Sequence, residues 1–110
     1  MPKLPILGVS FDEILLEAVE EGLMELGESS RAIVYFYVER NFSLKKTEIP
    51  KRLEDFSTAI RRIFGLGGIV MEELILKRLC EKLNVNYESV KDNEFHVAIE
   101  KTKKSLACPK

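Results

Sequence analysis

The chain has 110 residues, 45% of them apolar and 32% charged, with a formal net charge of −1. That length fits one domain, and the apolar content can build a core without a disulfide or metal staple. No apolar run reaches the ~18 residues of a membrane span, two cysteines are too few for a disulfide framework, and a net charge near zero points to no class of partner.

Residues 1–9 read as an N-terminal tail, too short and too proline-rich for a secretion signal. A cytoplasmic protein is therefore expected. Ser10 with Glu13 forms a capping-box pattern. Behind it Phe11, Ile14, Leu15, Ala18, Val19, Leu23 and Leu26 recur at helical spacing, with acids on the other face. Gly27 is the expected stop, in a left-handed conformation.

The second segment is ambiguous. Ile33-Val34-Tyr35-Phe36-Tyr37-Val38 is β-branched and aromatic, which favours a strand. Its full length to Phe42, with Ser29 and Ser30 as candidate N-caps, favours a helix. Read as a helix it is apolar nearly all round, so it is expected to be the most buried element, with Tyr35, Phe36 and Tyr37 in the core.

Pro50 is placed to start a third helix, whose stripe is Leu53, Phe56, Ile60, Ile63 and Phe64. Gly65 ends it. Gly67 and Gly68 lead into a fourth helix from about Ile69 to Leu83. Its apolar residues fall on two sides: Ile69, Leu76, Leu79, Cys80 and Leu83 on one, Val70, Met71, Leu74 and Ile75 on the other. A helix with two apolar sides is central or covered by a partner, so Val70, Met71, Leu74 and Ile75 form a candidate oligomer face. A fifth helix is expected from Asp92 or Asn93 to Leu106, with Phe95, Ala98, Ile99, Thr102 and Leu106 inward. Residues 107–110 are a C-terminal tail carrying Cys108. The expected fold is thus all-α: a compact bundle of about five short helices over residues 10–106.

Charge is segregated along the chain. Residues 1–30 carry a balance of −6, residues 31–62 of +4, residues 63–100 of −3 and residues 101–110 of +4. Lys45, Lys46, Lys51, Arg52, Arg61 and Arg62 make a basic cluster in the middle third. It is a candidate interaction surface for a protein or, alternatively, for the phosphates of a nucleic acid. Glu48, Glu54 and Asp55 are interspersed. Absence of Gln and abundance of Lys and Glu lean towards a heat-adapted source.

Catalytic chemistry has little to stand on. His96 is the only histidine, so no His-based metal cluster forms within one chain. Glu100, one helical turn on, is its expected neighbour. The turn Phe64-Gly65-Leu66-Gly67-Gly68 can present backbone N–H groups to an anion, but it lacks the Lys-Ser/Thr ending of a P-loop. Cys80 reads as a packed small hydrophobe. No catalytic residue, metal site or cofactor is assigned.

Three stretches together resemble a known family: Leu26-Gly27-Glu28-Ser29-Ser30 with the aromatic run behind it, Glu48-Ile49-Pro50 before an amphipathic helix, and Ile63-Phe64-Gly65-Leu66-Gly67 before an Ile/Leu-rich helix. The resemblance is to the archaeal Nitrosopumilus output domain, over roughly residues 10–85. It implies an all-helical domain, with the aromatic run a helix, and a stand-alone or signalling-output role. It supplies no active-site residues. The expectation is a non-enzymatic archaeal module that acts through protein contacts, its own homodimer first among them.

Overall fold

The computed structural model describes residues 10–107, the side chains of 106 and 107 excepted. The predicted tail over residues 1–9 and Cys108 lie outside the described residues. Five α-helices follow in order: α1 Phe11–Met24, α2 Glu28–Phe42, α3 Leu53–Phe64, α4 Leu66–Leu83 and α5 Phe95–Ala107. Two 3-10 turns, Lys46–Lys51 and Tyr87–Ser89, lie between them, and no strand occurs among the described residues. The all-α bundle is therefore as expected, and the ambiguous second segment is a helix.

The predicted capping box closes α1 at its start. The Ser10 hydroxyl accepts from the Glu13 N–H at 3.1 Å, and the Glu13 carboxylate accepts from the Ser10 N–H at 3.1 Å. Each bond satisfies a backbone group that a helix start leaves unpaired. Ile14, Leu15, Ala18, Val19 and Leu23 then enter the core, while Leu26 past the helix end stays exposed.

α1 runs antiparallel to α4. Glu17 pairs with Lys82 at 3.2 Å and Glu25 with Arg78 at 2.6 Å, so the end of α1 lies towards the start of α4. The core is built on this pair, with α2, α3 and α5 packed around it. Phe56 of α3 lies tilted against Phe95 of α5, ring centroids 6.3 Å apart. Ala98, Ile99 and Thr102 of α5 are buried, Thr102 donating its hydroxyl to the Ala98 carbonyl at 3.0 Å. The Leu106 side chain lies outside the described residues.

Several boundaries differ from expectation for local reasons. Pro50 belongs to the first 3-10 turn, and α3 starts three residues later at Leu53. Gly67 and Gly68 lie inside the first turn of α4, because Gly65 alone makes the reversal: its φ of 58° with ψ of −128° is a conformation only glycine takes without strain. Gly27 has a positive φ of 108° but an extended ψ of 153°; it precedes α2 and is not a left-handed cap. Ser29 and Ser30 are consequently within the first turn of α2 and do not cap it. α5 begins at Phe95 and reaches Ala107, one residue into the predicted tail.

α2 is the largest correction. Only Val34 and Val38 of this helix are buried. Tyr35 is half-buried, and Ile33, Phe36 and Tyr37 are exposed. Successive residues of a helix turn by about 100°, so a continuous apolar run sprays around the axis. α2 touches the bundle along one narrow stripe, and the rest of the run faces outward.

Candidate interaction surfaces

The exposed large hydrophobics are Met24, Leu26, Ile33, Phe36, Tyr37, Leu66, Ile69 and Val70. Among the described residues they belong to the α1–α2 junction, the outer face of α2 and the first turns of α4; α3 and α5 contribute none. Leu66 is the extreme case, 80% exposed. Both exposed helix stripes have the i, i+3, i+4 spacing with which one helix seats on another: Ile33, Phe36 and Tyr37 on α2, Leu66, Ile69 and Val70 on α4. The Phe36 and Tyr37 rings meet edge to face at 5.1 Å, and the Arg40 guanidinium lies 5.8 Å from the Phe36 centroid. These contacts hold the aromatic side chains in a defined arrangement on the surface.

The predicted oligomer face divides. Val70 is exposed and Leu74 half-buried, but Met71 and Ile75 are buried in the core. The reason is α1, which covers that side of α4 through Gly22. The second apolar side of α4 thus faces the chain's own first helix, and only its N-terminal turns remain open.

The basic cluster is largely neutralised. Lys46 pairs with Glu20, Lys51 with Asp12 at 3.2 Å, Arg52 with Asp55 at 2.9 Å, and Arg61 with Glu72 at 2.7 Å. Arg52 also donates to the Ser43 carbonyl. Lys45 and Arg62 have no carboxylate partner among the described residues. Four of the six cations are thus parts of the scaffold: Lys46 and Lys51 through acids of α1, Arg52 through α3 and Arg61 through α4.

Two of these pairs are built into the packing. Glu72 is buried on α4, where Arg61 grips both carboxylate oxygens, at 2.7 and 3.1 Å, and the Ser57 hydroxyl donates to one of them. The Glu72 hydrogen bonds raise the Arg61 pKa above its ordinary value. Glu20 on α1 receives both Arg31 and Lys46. Burial alone would raise its carboxyl, but hydrogen bonds from the two cations prevail and hold it below the ordinary glutamate value. Beside it, burial pushes the Tyr35 hydroxyl well above the usual tyrosine range, with the Glu20 charge adding to the effect.

A polar concavity runs between α3 and the start of α5. It has a volume of about 440 Å³ and is lined by Glu54, Asp55, Ser57, Thr58, Arg61, Glu94, Phe95 and His96. His96 Nε2 lies 3.1 Å from Glu54 and Nδ1 lies 3.8 Å from Glu94. The expected contact with Glu100 is thus replaced by one to a carboxylate of α3. Among the described residues no group of three or more His, Cys, Asp or Glu side chains is set to hold a metal ion. No described helix is long and apolar enough to cross a membrane. Cys80 is buried, and burial raises its thiol pKa, which keeps it protonated and unreactive.

Comparison with protein-family models, with curated proteins and with solved structures gave no match.

The α2 stripe is the surface that sequence reasoning missed. Aromatic residues at helical spacing usually are core, so the run reads as buried. One signal was available: Arg40 and Glu39 continue the helix as polar residues, so the aromatic run is only part of a helix with a solvent face.

Proposed function

We propose that this chain is a non-enzymatic interaction module that self-associates through its exposed apolar face. The supporting observation is the concentration of eight large exposed hydrophobics on the outer face of α2, the α1–α2 junction and the start of α4. At about 200 Å² per large side chain, these stretches together present on the order of 700 Å² of apolar area. One partner in a standard interface buries about 800 Å². A second copy supplies a surface of matching size and character without any further component.

A signalling-output role in an archaeal cytoplasm, of the kind the Nitrosopumilus output domain resemblance implies, belongs to the same proposal. The free, buried Cys80 thiol and the Lys- and Glu-rich composition are in keeping with it. A nucleic-acid partner for the basic cluster has less support, because four of its six cations already hold carboxylates.

Size exclusion with light scattering at tens of micromolar tests the reading. A dimer mass is expected for the native chain, and Phe36→Glu should shift it to monomer with unchanged helical circular dichroism. A strict monomer for the native chain overturns the proposal.

A further inference from the structure

We infer that the self-association rests on α2 pairing antiparallel with α2 of a second copy, with Ile33 against Phe36 of that copy and Ser29 against its Arg40. The inference deepens the proposed self-association and depends on it.

The first argument is bulk. The outward stripe of α2 is uneven along its length: Ser29 and Ile33 occupy its first half, Phe36, Tyr37 and Arg40 its second. Helices pack by setting large side chains of one into spaces left by small ones of the other. An antiparallel pair about a two-fold axis does this twice, laying the aromatic half of each stripe over the small half of the other. A parallel pair in register sets Phe36 and Tyr37 against themselves and leaves Ser29 facing a gap.

The second argument is charge. Arg40 is exposed near the end of α2, and Glu28, its carboxylate also exposed, begins the helix. A parallel pair brings the two Arg40 guanidinium groups face to face. The antiparallel pair separates them by about 16 Å along the axis, from a rise of about 1.5 Å per residue. It also places each Arg40 at the end of the second helix that carries Glu28. Opposite charges at both ends fix the register, as flanking charges do in paired helices. Arg40 already stacks on Phe36 within one copy, so its stem widens the apolar stripe while its charge reaches the rim.

The third argument is access. Val34 and Val38 already anchor α2 to its own bundle, so the outward stripe is available without any rearrangement of the core. The pairing is therefore between preformed surfaces.

Disulfide trapping tests the geometry. Ser29→Cys and Arg40→Cys are made separately, each with Cys108→Ser; Cys80 is buried in the folded chain. Under mild oxidation a cross-linked dimer is expected in the equimolar mixture and lost in either variant alone, since cysteines must approach within about 7 Å between Cα atoms. Cross-linking of each variant with itself means a parallel pair and overturns the inference. If light scattering shows a dimer for both variants and the mixture stays uncross-linked, the dimer uses another face. The inference then fails while self-association stands. A native chain that is monomeric removes both.

Discussion

Gly22 of α1 lies directly against Ile75 of α4. A Cβ on the glycine would sit 2.9 Å from the Ile75 Cα, N and Cγ1. Two of those three atoms are backbone, which cannot rotate away. Gly22→Ala gains up to about 1 kcal/mol of helix propensity but must force α1 and α4 apart, and overpacking costs about 1–3 kcal/mol. Alanine is expected to lower stability by about 1 kcal/mol and Gly22→Val by more, read as a lower urea midpoint with an unchanged slope.

The same contact decides what charged substitutions do on α4. Ile75 is fully buried beneath α1, whereas Leu66 is 80% exposed. Ile75→Glu buries a carboxylate with no partner and is expected to unfold the chain, not to split a dimer. Leu66→Glu should change stability by no more than about 0.5 kcal/mol, as surface substitutions do. It should also weaken association, because the start of α4 carries part of the proposed apolar face. Thermal melts followed by circular dichroism, beside light scattering, separate the two effects.

How much was legible in the sequence depended on whether the deciding partner was local. The Ser10–Glu13 box spans three residues, and the α3 core positions Phe56 and Ile60 follow from one helical period; both are readable from the chain alone. The fate of Met71 and Ile75 was not, because the helix that packs along α4 comes some fifty residues earlier and comes closest to Ile75 where Gly22 lacks a side chain. The basic cluster failed to be a free surface for the same reason. Lys46 and Lys51 meet Glu20 and Asp12 across separations that no local pattern records. The α2 stripe was hidden by composition: an apolar run announces burial, and only the docking of the helix shows which residues of the run escape it.

Glu20 gives the fold an acid-sensitive element. Its carboxyl sits below the ordinary glutamate value when folded, through Lys46 and Arg31 acting against burial. The unfolded chain therefore binds a proton at Glu20 more readily than the folded one, and stability falls as pH falls. Its contribution is complete above the ordinary glutamate range, near pH 4, and is lost as pH drops through the lower folded value. Glu20→Gln should flatten this part of the acid limb in a pH series of urea titrations. A variant with an acid limb as steep as that of the native chain would show that Glu20 is not the group responsible.

Arg61 and Glu72 behave differently because one of them has no access to water. Glu72 is 5% exposed and depends on Arg61 and Ser57 to satisfy its charge, while the Arg61 side chain is about half exposed. Removing one partner of a fully buried pair costs about 3–5 kcal/mol, chiefly by stranding the other charge. Solvent around Arg61 screens part of this, so Arg61→Ala is expected to cost about 2 kcal/mol. Replacing both, as Arg61→Met with Glu72→Met, removes the stranded charge together with its partner. That double variant should be more stable than Arg61→Ala alone. A double-mutant cycle by chemical denaturation measures the coupling, and single and double variants of equal stability would show that the carboxylate needs no cation where it sits.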